Sequence, residues 1–216
     1  MGKKKKIAKG DVFAVPLPDG TYLCGRVMLD IYAATRRRLF PADSPLPGLG
    51  KSLLVEMYDE PATTPEYTAS AVLIPGAFVD DGVIGIEWPV VDHVPINPKG
   101  VSFPEAIVGF MHSSGQMAFE CGEIRLPLPI YLSEQRRIGV YMTVHNTFLW
   151  PFYCLYQLGR DSEVPEAYRG KCHLCDSDLR FSEHRATIYR HLPLDPNDSY
   201  YEQQKQLGLK SERLYE

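Results

Sequence analysis

Two cysteines and two histidines near the end of the chain are of the residue types that bind zinc. Cys172 and Cys175 have the C-x2-C spacing with which two thiolates hold one zinc ion from a tight turn. His184 and His191 follow and would complete four ligands. In a zinc finger, by contrast, about 12 residues precede the first histidine and about 3–5 separate the pair. These four residues are a hypothetical zinc site, but the sequence favours the alternative of two ordinary thiols near a surface turn.

Acidic residues and one histidine cluster in the middle of the chain, at Asp80, Asp81, Glu87, Asp92 and His93. A metal-assisted hydrolase of phosphotriesters needs several histidine and carboxylate ligands around one activated water. Asp92 and His93 are adjacent, and neighbours on a strand point to opposite faces unless a bulge intervenes. The sequence therefore favours an acidic surface, in which Asp80 and Asp81 shape a turn, over a hydrolytic metal centre.

Motifs of the common catalytic sites are missing from the sequence. The six histidines show no H-x-H or H-E-x-x-H spacing, and no G-x-S-x-G nucleophile motif surrounds Ser113 or Ser114. A phosphate-binding loop and a dinucleotide fingerprint are also missing. No catalytic residue is predicted, and we expect a protein that works by binding.

Three arginines, Arg36, Arg37 and Arg38, form a positively charged candidate surface. They fall in the stretch 35–51, whose three prolines predict a long exposed loop. Such a loop can contact acidic groups of a partner, and a solvated loop without a partner is the alternative.

Tyr22 and Arg26 lie on one predicted strand and point away from its main core face. Arg26 is expected to pair with Asp11 across a hairpin or with Glu56 on the next strand. A surface ion pair contributes only about 0–1 kcal/mol. The stretch is therefore interpreted as scaffold, with Tyr22 and Arg26 as candidate members of a binding surface.

Short apolar runs separated by turn residues recur along the chain, a pattern typical of β proteins. Pro18-Asp19-Gly20 predicts a tight hairpin between the first two strands. The predicted strands are 12–17, 22–29, 53–58, 71–74, 83–86, 88–91, 106–111, 116–121, 123–128 and 138–144. Residues 148–158 are apolar on nearly every face and end at Gly159, which predicts a buried helix, with a buried strand as the alternative. A last helix with few apolar anchors is predicted over 199–212.

These elements predict a mainly β fold of the α+β class. It is either a twisted antiparallel sheet or an SH3-like, partly open barrel, with one buried helix and a C-terminal helix. The sequence divides into a disordered basic tail (1–9), a β-rich domain (10–160) and a polar C-terminal extension with a helix (161–216).

Charge is unevenly distributed along the chain. There are 23 basic and 27 acidic residues, and four of the basic ones form the run Lys3–Lys6. The remainder is therefore acidic, which disfavours nucleic acid as the partner and suits a basic protein.

The cysteines and the apolar runs indicate a compartment. No apolar stretch follows the first lysines as in a signal peptide, and no run approaches the ~18 residues of a membrane span. The cysteines are odd in number and mostly isolated: Cys24, Cys121, Cys154, Cys172 and Cys175. The sequence predicts a cytoplasmic protein with reduced thiols and no membrane partner. Cys121 or Cys154 could also supply a zinc ligand from the main domain.

Two stretches resemble a known family. "GDVFAVPLPDGTYLCGRV" (10–27) and "FVDDGVIGIEWPVVDHVPI" (78–96) resemble the immunity protein 26 family, small bacterial proteins of polymorphic toxin systems, some of which carry a phosphotriesterase name. The resemblance covers roughly residues 7–160 and rests on turn glycines and strand residues. It departs at Asp92, where the family leads us to expect a glycine. The matching residues are Gly10-Asp11, the strand up to Pro16, Gly20, Tyr22, Gly25-Arg26-Val27, Phe78-Val79-Asp80, Gly85 and Trp88-Pro89-Val90.

The resemblance implies a mainly β domain that binds a cognate toxin domain and blocks it, and it implies no defined catalytic residues. Occlusion would bury about 1,600 Å² in total, with charged steering. The acidic turn (Asp80, Asp81, Glu87 and Asp92) and the arginine loop are the candidate contacts. Two alternatives stay open: a small phosphotriester hydrolase with metal held by His93 and its acidic neighbours, and a β-barrel interaction module with a zinc-stapled tail.

Overall fold

The computed structural model describes residues 7–109 and 115–215. The lysine run Lys3–Lys6, with most of the predicted tail, lies outside the described residues. The same is true of residues 110 and 111 of a predicted strand and of Ser113 and Ser114.

Strands and short helices make up the described chain. The strands are β1 (Asp11–Pro16), β2 (Tyr22–Asp30), β3 (Ser52–Tyr58), β4 (Val72–Asp80), β5 (Val90–His93), β6 (Glu105–Gly109), β7 (Gln116–Cys121) and β8 (Ile124–Tyr131). The helices are α1 (Ile31–Arg36), α2 (Leu132–Ile138), α3 (Trp150–Gln157), α4 (Arg185–Tyr189) and α5 (Tyr200–Gln206).

The strands form two antiparallel sheets. Five of them pair in the order β4-β3-β2-β1-β5, and three pair in the order β6-β7-β8. Neither sheet closes into a barrel. The mainly β, α+β prediction is confirmed, and the strands form two antiparallel sheets.

The hairpin between β1 and β2 forms as its turn residues predict. Gly20 has φ +86°, in the left-handed region that favours glycine. The amides of Leu17 and Gly20 donate to the carbonyls of Thr21 and Leu17, at 2.8 and 3.0 Å. The Asp19 carboxylate accepts from the Thr21 amide and hydroxyl, which lowers the pKa of Asp19 to about 2.

Both faces of the five-stranded sheet are covered. One face packs beneath α3 and a tight turn at residues 83–88, where Phe13 and Met57 of the sheet meet Trp88 and Trp150. The rings of Phe13 and Trp88 stack with their centroids 5.8 Å apart. The sheet is therefore the middle of three layers over much of its area.

The second sheet packs on the opposite face. Leu54 of β3 and Phe78 of β4 share a core with Ile107 and Phe119 of the smaller sheet. Because two layers cover the large sheet, its strands are apolar almost throughout and show little of the expected alternation.

Strand β4 is longer than predicted. The sequence places its end before Pro75-Gly76, but the strand continues to Asp80. The register between β3 and β4 shifts between the pairs Val55–Ala77 and Met57–Ile74, so a bulge holds Pro75 and Gly76 within the strand.

Two other predicted strands are wrong. Residues 83–86 form part of the tight turn, in which the amides of Ile86 and Glu87 donate to the Val83 carbonyl. Residues 138–144 begin at the end of α2, where Gly139 with φ +75° closes the helix. Apolar composition alone cannot separate such turns from strands.

The buried helix is α3, within the predicted stretch, and Gly159 follows it with φ +70°. Helix α5 ends earlier than predicted, at Gln206, because Gly208 takes up a left-handed conformation. It is also well packed: Gln203 and Gln204 are buried, and the Tyr200 ring lies 4.6 Å from Phe103.

Polar residues after Asp161 attach to both sheets. Glu105 of β6 accepts hydrogen bonds from Arg185 at 2.8 and 2.7 Å and from the Tyr189 hydroxyl at 2.7 Å. Arg180 pairs with Asp178 and also donates to the carbonyl of Gly76 in the β4 bulge. The extension is therefore docked, while the division of the chain at residue 160 stays a prediction.

Candidate functional site

Asp80 connects the end of β4 to the segment that leads into α3. Its carboxylate accepts from the Gly82 amide at 2.9 Å, which makes the predicted turn. It also accepts from the Thr147 amide at 3.0 Å and from the Thr147 hydroxyl at 2.8 Å. Asp80 therefore holds the end of β4 and the segment before α3 together, and its carboxylate has few lone pairs left to accept hydrogen bonds from a partner protein.

Two exposed large hydrophobic side chains belong to the segments that Asp80 joins. Ile86 is 61% exposed and Phe148 is 70% exposed, the highest values recorded for large hydrophobic residues in 7–109 and 115–215. Ile86 lies in the tight turn 83–88, and Phe148 directly follows Thr147 in the sequence. The layer that carries both covers the same face of the large sheet, since Trp88 of the turn and Trp150 of α3 share one core.

Two carboxylates lie close in sequence to Ile86 and Asp80. Glu87 is exposed next to Ile86, and Asp81 is half-buried next to Asp80. Asp81, Ile86, Glu87 and Phe148 are called here the Ile86–Phe148 surface. An exposed apolar centre with a charged edge has the composition of a protein-docking site.

Arg26 lies in a buried polar cluster. Of its two expected partners, Glu56 is the actual one: its Oε1 accepts from Arg26 Nε at 3.0 Å, from Arg26 Nη2 at 2.8 Å and from the Tyr58 hydroxyl at 2.8 Å. Glu56 is only 4% exposed, so the expectation of a surface pair is wrong. Burial raises the pKa of Tyr58 well above its ordinary value. Tyr22 is half-buried and bridges to Ala62, so both residues make contacts within the scaffold, and their part in a binding surface stays a prediction.

His93 does not gather a metal site. Its Nδ1 lies 3.0 Å from the Asp11 carboxylate, and its amide donates to the Asp92 carboxylate at 2.7 Å. Asp92 is exposed on the edge strand β5. Within the described ranges no group of three or more histidine, cysteine or acidic residues is placed to hold a metal ion.

The four residues of the zinc hypothesis are likewise not brought together. Cys172 is buried, Cys175 and His191 are exposed, and His184 is half-buried. The part of the chain described by the structure contains no ligand group around them. Burial raises the pKa of both thiols, which disfavours the thiolate form that zinc binds.

Comparison with known proteins gives a family match for part of the chain. Residues 8–107 match the family model Imm26, immunity protein 26. Over these residues the chain is similar to the immunity protein 26 family. Comparison with curated proteins and with solved structures found no match.

The immunity protein 26 segment contains the whole five-stranded sheet and ends within β6, before the limit near residue 160 that the sequence resemblance suggests. It includes Asp81, Ile86 and Glu87, whereas Phe148 comes from the chain beyond it. No helix within the described residues is long and apolar enough to cross a membrane.

Residues 145–147 extend the edge of β4 in the immunity protein 26 segment. The His145 amide donates to the Phe78 carbonyl at 2.7 Å, and the Asp80 amide donates to the His145 carbonyl at 3.0 Å. The His145 ring is buried 4.5 Å from Tyr153, and this burial lowers its pKa to about 4. Nothing in the sequence around His145 indicates this pairing, because it involves only a few residues without a period.

The arginines lie at the end of a helix that the sequence did not predict. Asp30 caps α1 by accepting from the Ala33 amide at 2.8 Å, and Arg36 is its last residue. Arg36, Arg37 and Arg38 are all exposed, as expected. The long loop therefore begins as a helix terminus.

A second exposed apolar group lies on the smaller sheet and α2. Tyr131, Leu132 and Tyr141 are each about half exposed, and Leu132 and Tyr141 line a groove of about 420 Å³. This group lies outside the immunity protein 26 segment. It offers a matched comparison for variants of the Ile86–Phe148 surface.

Proposed function

We propose that this protein neutralises a cognate protein toxin by docking the Ile86–Phe148 surface on it and covering its active site. The match of residues 8–107 to the immunity protein 26 family is the observation that carries the proposal. Immunity proteins act on toxins, and an exposed apolar centre supplies the free energy for such an encounter.

The composition of the surface suits a basic partner. Ile86 and Phe148 would enter apolar pockets and lose their contact with water, while Asp81 and Glu87 would lie at the edge. Carboxylates at an edge steer a basic protein and raise the association rate more than the final affinity. The acidic excess of the chain acts in the same direction.

The surface is preformed, which favours tight binding. Asp80 fixes the segment before Phe148, and Ile84 and Trp88 anchor the turn that carries Ile86 in the core. A surface that is already ordered loses little conformational entropy on association. Occlusion by a rigid body is therefore the mechanism that these contacts support.

The cysteines support action in the cytoplasm. All five are free, and Cys24, Cys121, Cys154 and Cys172 are buried. Reduced, buried thiols are typical of proteins in a reducing compartment.

Co-expression in bacteria tests the proposal. The probe is the C-terminal domain of the large protein encoded next to this gene, expressed alone or with the immunity protein. We expect this domain to kill cells, wild-type chain to protect them, and the double variant Ile86→Ser with Phe148→Ser to protect poorly. The control is Leu132→Ser with Tyr141→Ser, which removes exposed apolar groups elsewhere and should protect fully. Loss of protection in the control alone would place the contact on the other surface.

A further inference from the structure

A groove of about 930 Å³ lies between the arginine stretch and the C-terminal residues. Its lining consists of residues 38–41, 43 and 44, of Glu123, Arg125 and Leu126 at the start of β8, and of residues 207–210 and 213. Its volume is at the upper end of the range for ligand sites in proteins. Most of its lining lies outside the immunity protein 26 segment.

The lining of the groove carries an excess of positive charge. Its cations are Arg38, Arg125, Lys210 and Arg213, and its anions are Asp43 and Glu123. Arg213 pairs with Glu123 at 2.6 Å and Arg125 pairs with Glu120 at 3.2 Å. Arg38 and Lys210 then remain in the lining against Asp43. The side chains of Arg38 and Lys210 have no hydrogen-bond or ion-pair partner among residues 7–109 and 115–215. In a chain of net charge -4, this groove is therefore locally basic.

Arg38 occupies a backbone position that favours glycine. Its φ is +57°, and it is the non-glycine residue with positive φ in the described chain. The amides of Arg38 and Leu39 donate to the carbonyls of Thr35 and Ala34, which is the hydrogen-bond pattern of a helix that ends in a left-handed residue. Glycine adopts this conformation without steric cost. The chain nevertheless has an arginine there, in the lining of the groove.

Apolar side chains share the lining with these charges. Leu39, Phe40, Leu126 and Leu207 line the groove, and Leu209 is 37% exposed at it. A ligand that complements this lining carries both carboxylates and apolar groups. Nucleic acid fits less well, because it carries a charge on every backbone unit and has no aliphatic groups to cover the apolar part of this lining.

We propose that this groove binds an acidic, partly apolar peptide segment of a partner protein. The site is independent of the proposed function, since it has the opposite charge and shares no residue with the Ile86–Phe148 surface. Carboxylates of the segment would meet Arg38 and Lys210, and its apolar side chains would lie on Phe40 and Leu209.

Fluorescence anisotropy with the full chain tests the site. The probe is a labelled peptide of alternating glutamate and leucine, and the competitors are an alternating lysine–leucine peptide and a single-stranded oligonucleotide. We expect saturable binding of the glutamate–leucine probe, no competition by either competitor, and binding at least about fivefold weaker in Arg38→Gly and in Lys210→Ala.

Arg38→Gly separates binding from folding. Because glycine suits the left-handed position, this variant should melt at the same or a higher temperature than wild type. Arg37→Ala removes a neighbouring exposed arginine outside the groove lining and should bind the probe normally. The proposal is overturned if the probe fails to saturate, if Arg37→Ala weakens binding as much as Arg38→Gly, or if the oligonucleotide displaces the peptide.

Discussion

Asp80 holds Thr147 through two hydrogen bonds, one from the amide at 3.0 Å and one from the hydroxyl at 2.8 Å. These bonds join the end of β4, inside the immunity protein 26 segment, to the residue before the exposed Phe148. The two parts of the Ile86–Phe148 surface therefore come from opposite sides of the segment boundary. The Asp80 carboxylate and the backbone pairing of His145 with β4 fix the connection between them.

Replacement of this carboxylate should loosen the surface. Asp80→Ala leaves the Thr147 and Gly82 donors without their acceptor, and we expect a loss of about 2–3 kcal/mol in the free energy of unfolding. Urea denaturation measures it. Glu87→Ala removes an exposed carboxylate nearby and should change stability by less than about 0.5 kcal/mol. Equal stability of the two variants would show that the Asp80 bonds do not hold the junction.

Arg26 should be important for folding. Arg26→Ala leaves the Glu56 carboxylate buried without its cation, and this costs about 3–5 kcal/mol. Arg37→Ala removes an exposed arginine and should cost less than about 0.5 kcal/mol. Both values come from denaturant titrations, and a small effect of Arg26→Ala would mean that Glu56 stays hydrated in the folded protein.

His145 should make stability depend on pH. Burial lowers its folded pKa from the ordinary 6.5 to about 4. Between these values the unfolded chain binds a proton that the folded chain does not, so stability falls as pH falls from 6.5 to 4, by on the order of 3 kcal/mol in total. The slope of unfolding free energy between pH 6.5 and pH 4.5 measures this loss. His145→Gln should flatten the slope and the exposed His191→Gln should not, whereas an unchanged slope in His145→Gln would assign it to other groups.

Zinc should be absent from the purified protein, because Cys172, Cys175, His184 and His191 do not form a ligand group in the described chain. We expect metal analysis of protein prepared without chelator to give a zinc content near zero, and the melting temperature to be unchanged by a chelator. One bound zinc per chain, lost on Cys172→Ser, would restore the zinc hypothesis.

Local signals in the sequence were sufficient for the hairpin, for β7 and for α3. Gly20 and Gly159 each adopt the left-handed conformation that their turns require, and turn chemistry is a local property. The partner of Arg26 could only be narrowed to two residues, since strand order is not a local property. The burial of the pair of Arg26 with Glu56 was not predicted, because the alternation of side chains along a strand does not reveal that a second layer covers one face of the sheet.

Other features depend on contacts between distant residues. No apolar pattern in the sequence predicts the burial of Gln203 and Gln204 in α5. These amides can be buried because hydrogen bonds such as that from Gln203 to the Tyr189 hydroxyl satisfy them. Phe148 belongs to an apolar run that predicts burial, yet Asp80 holds its segment so that the ring faces solvent. The acidic turn was predicted from its residues, but its apolar centre was not.

Calorimetric titration of the purified toxin domain with the immunity protein tests docking through the Ile86–Phe148 surface most directly. We expect Phe148→Ser to raise Kd at least about tenfold, as for a residue at the centre of an interface, and Tyr141→Ser to leave Kd within about twofold. An unchanged Kd for Phe148→Ser in a variant that folds normally would contradict docking at this surface.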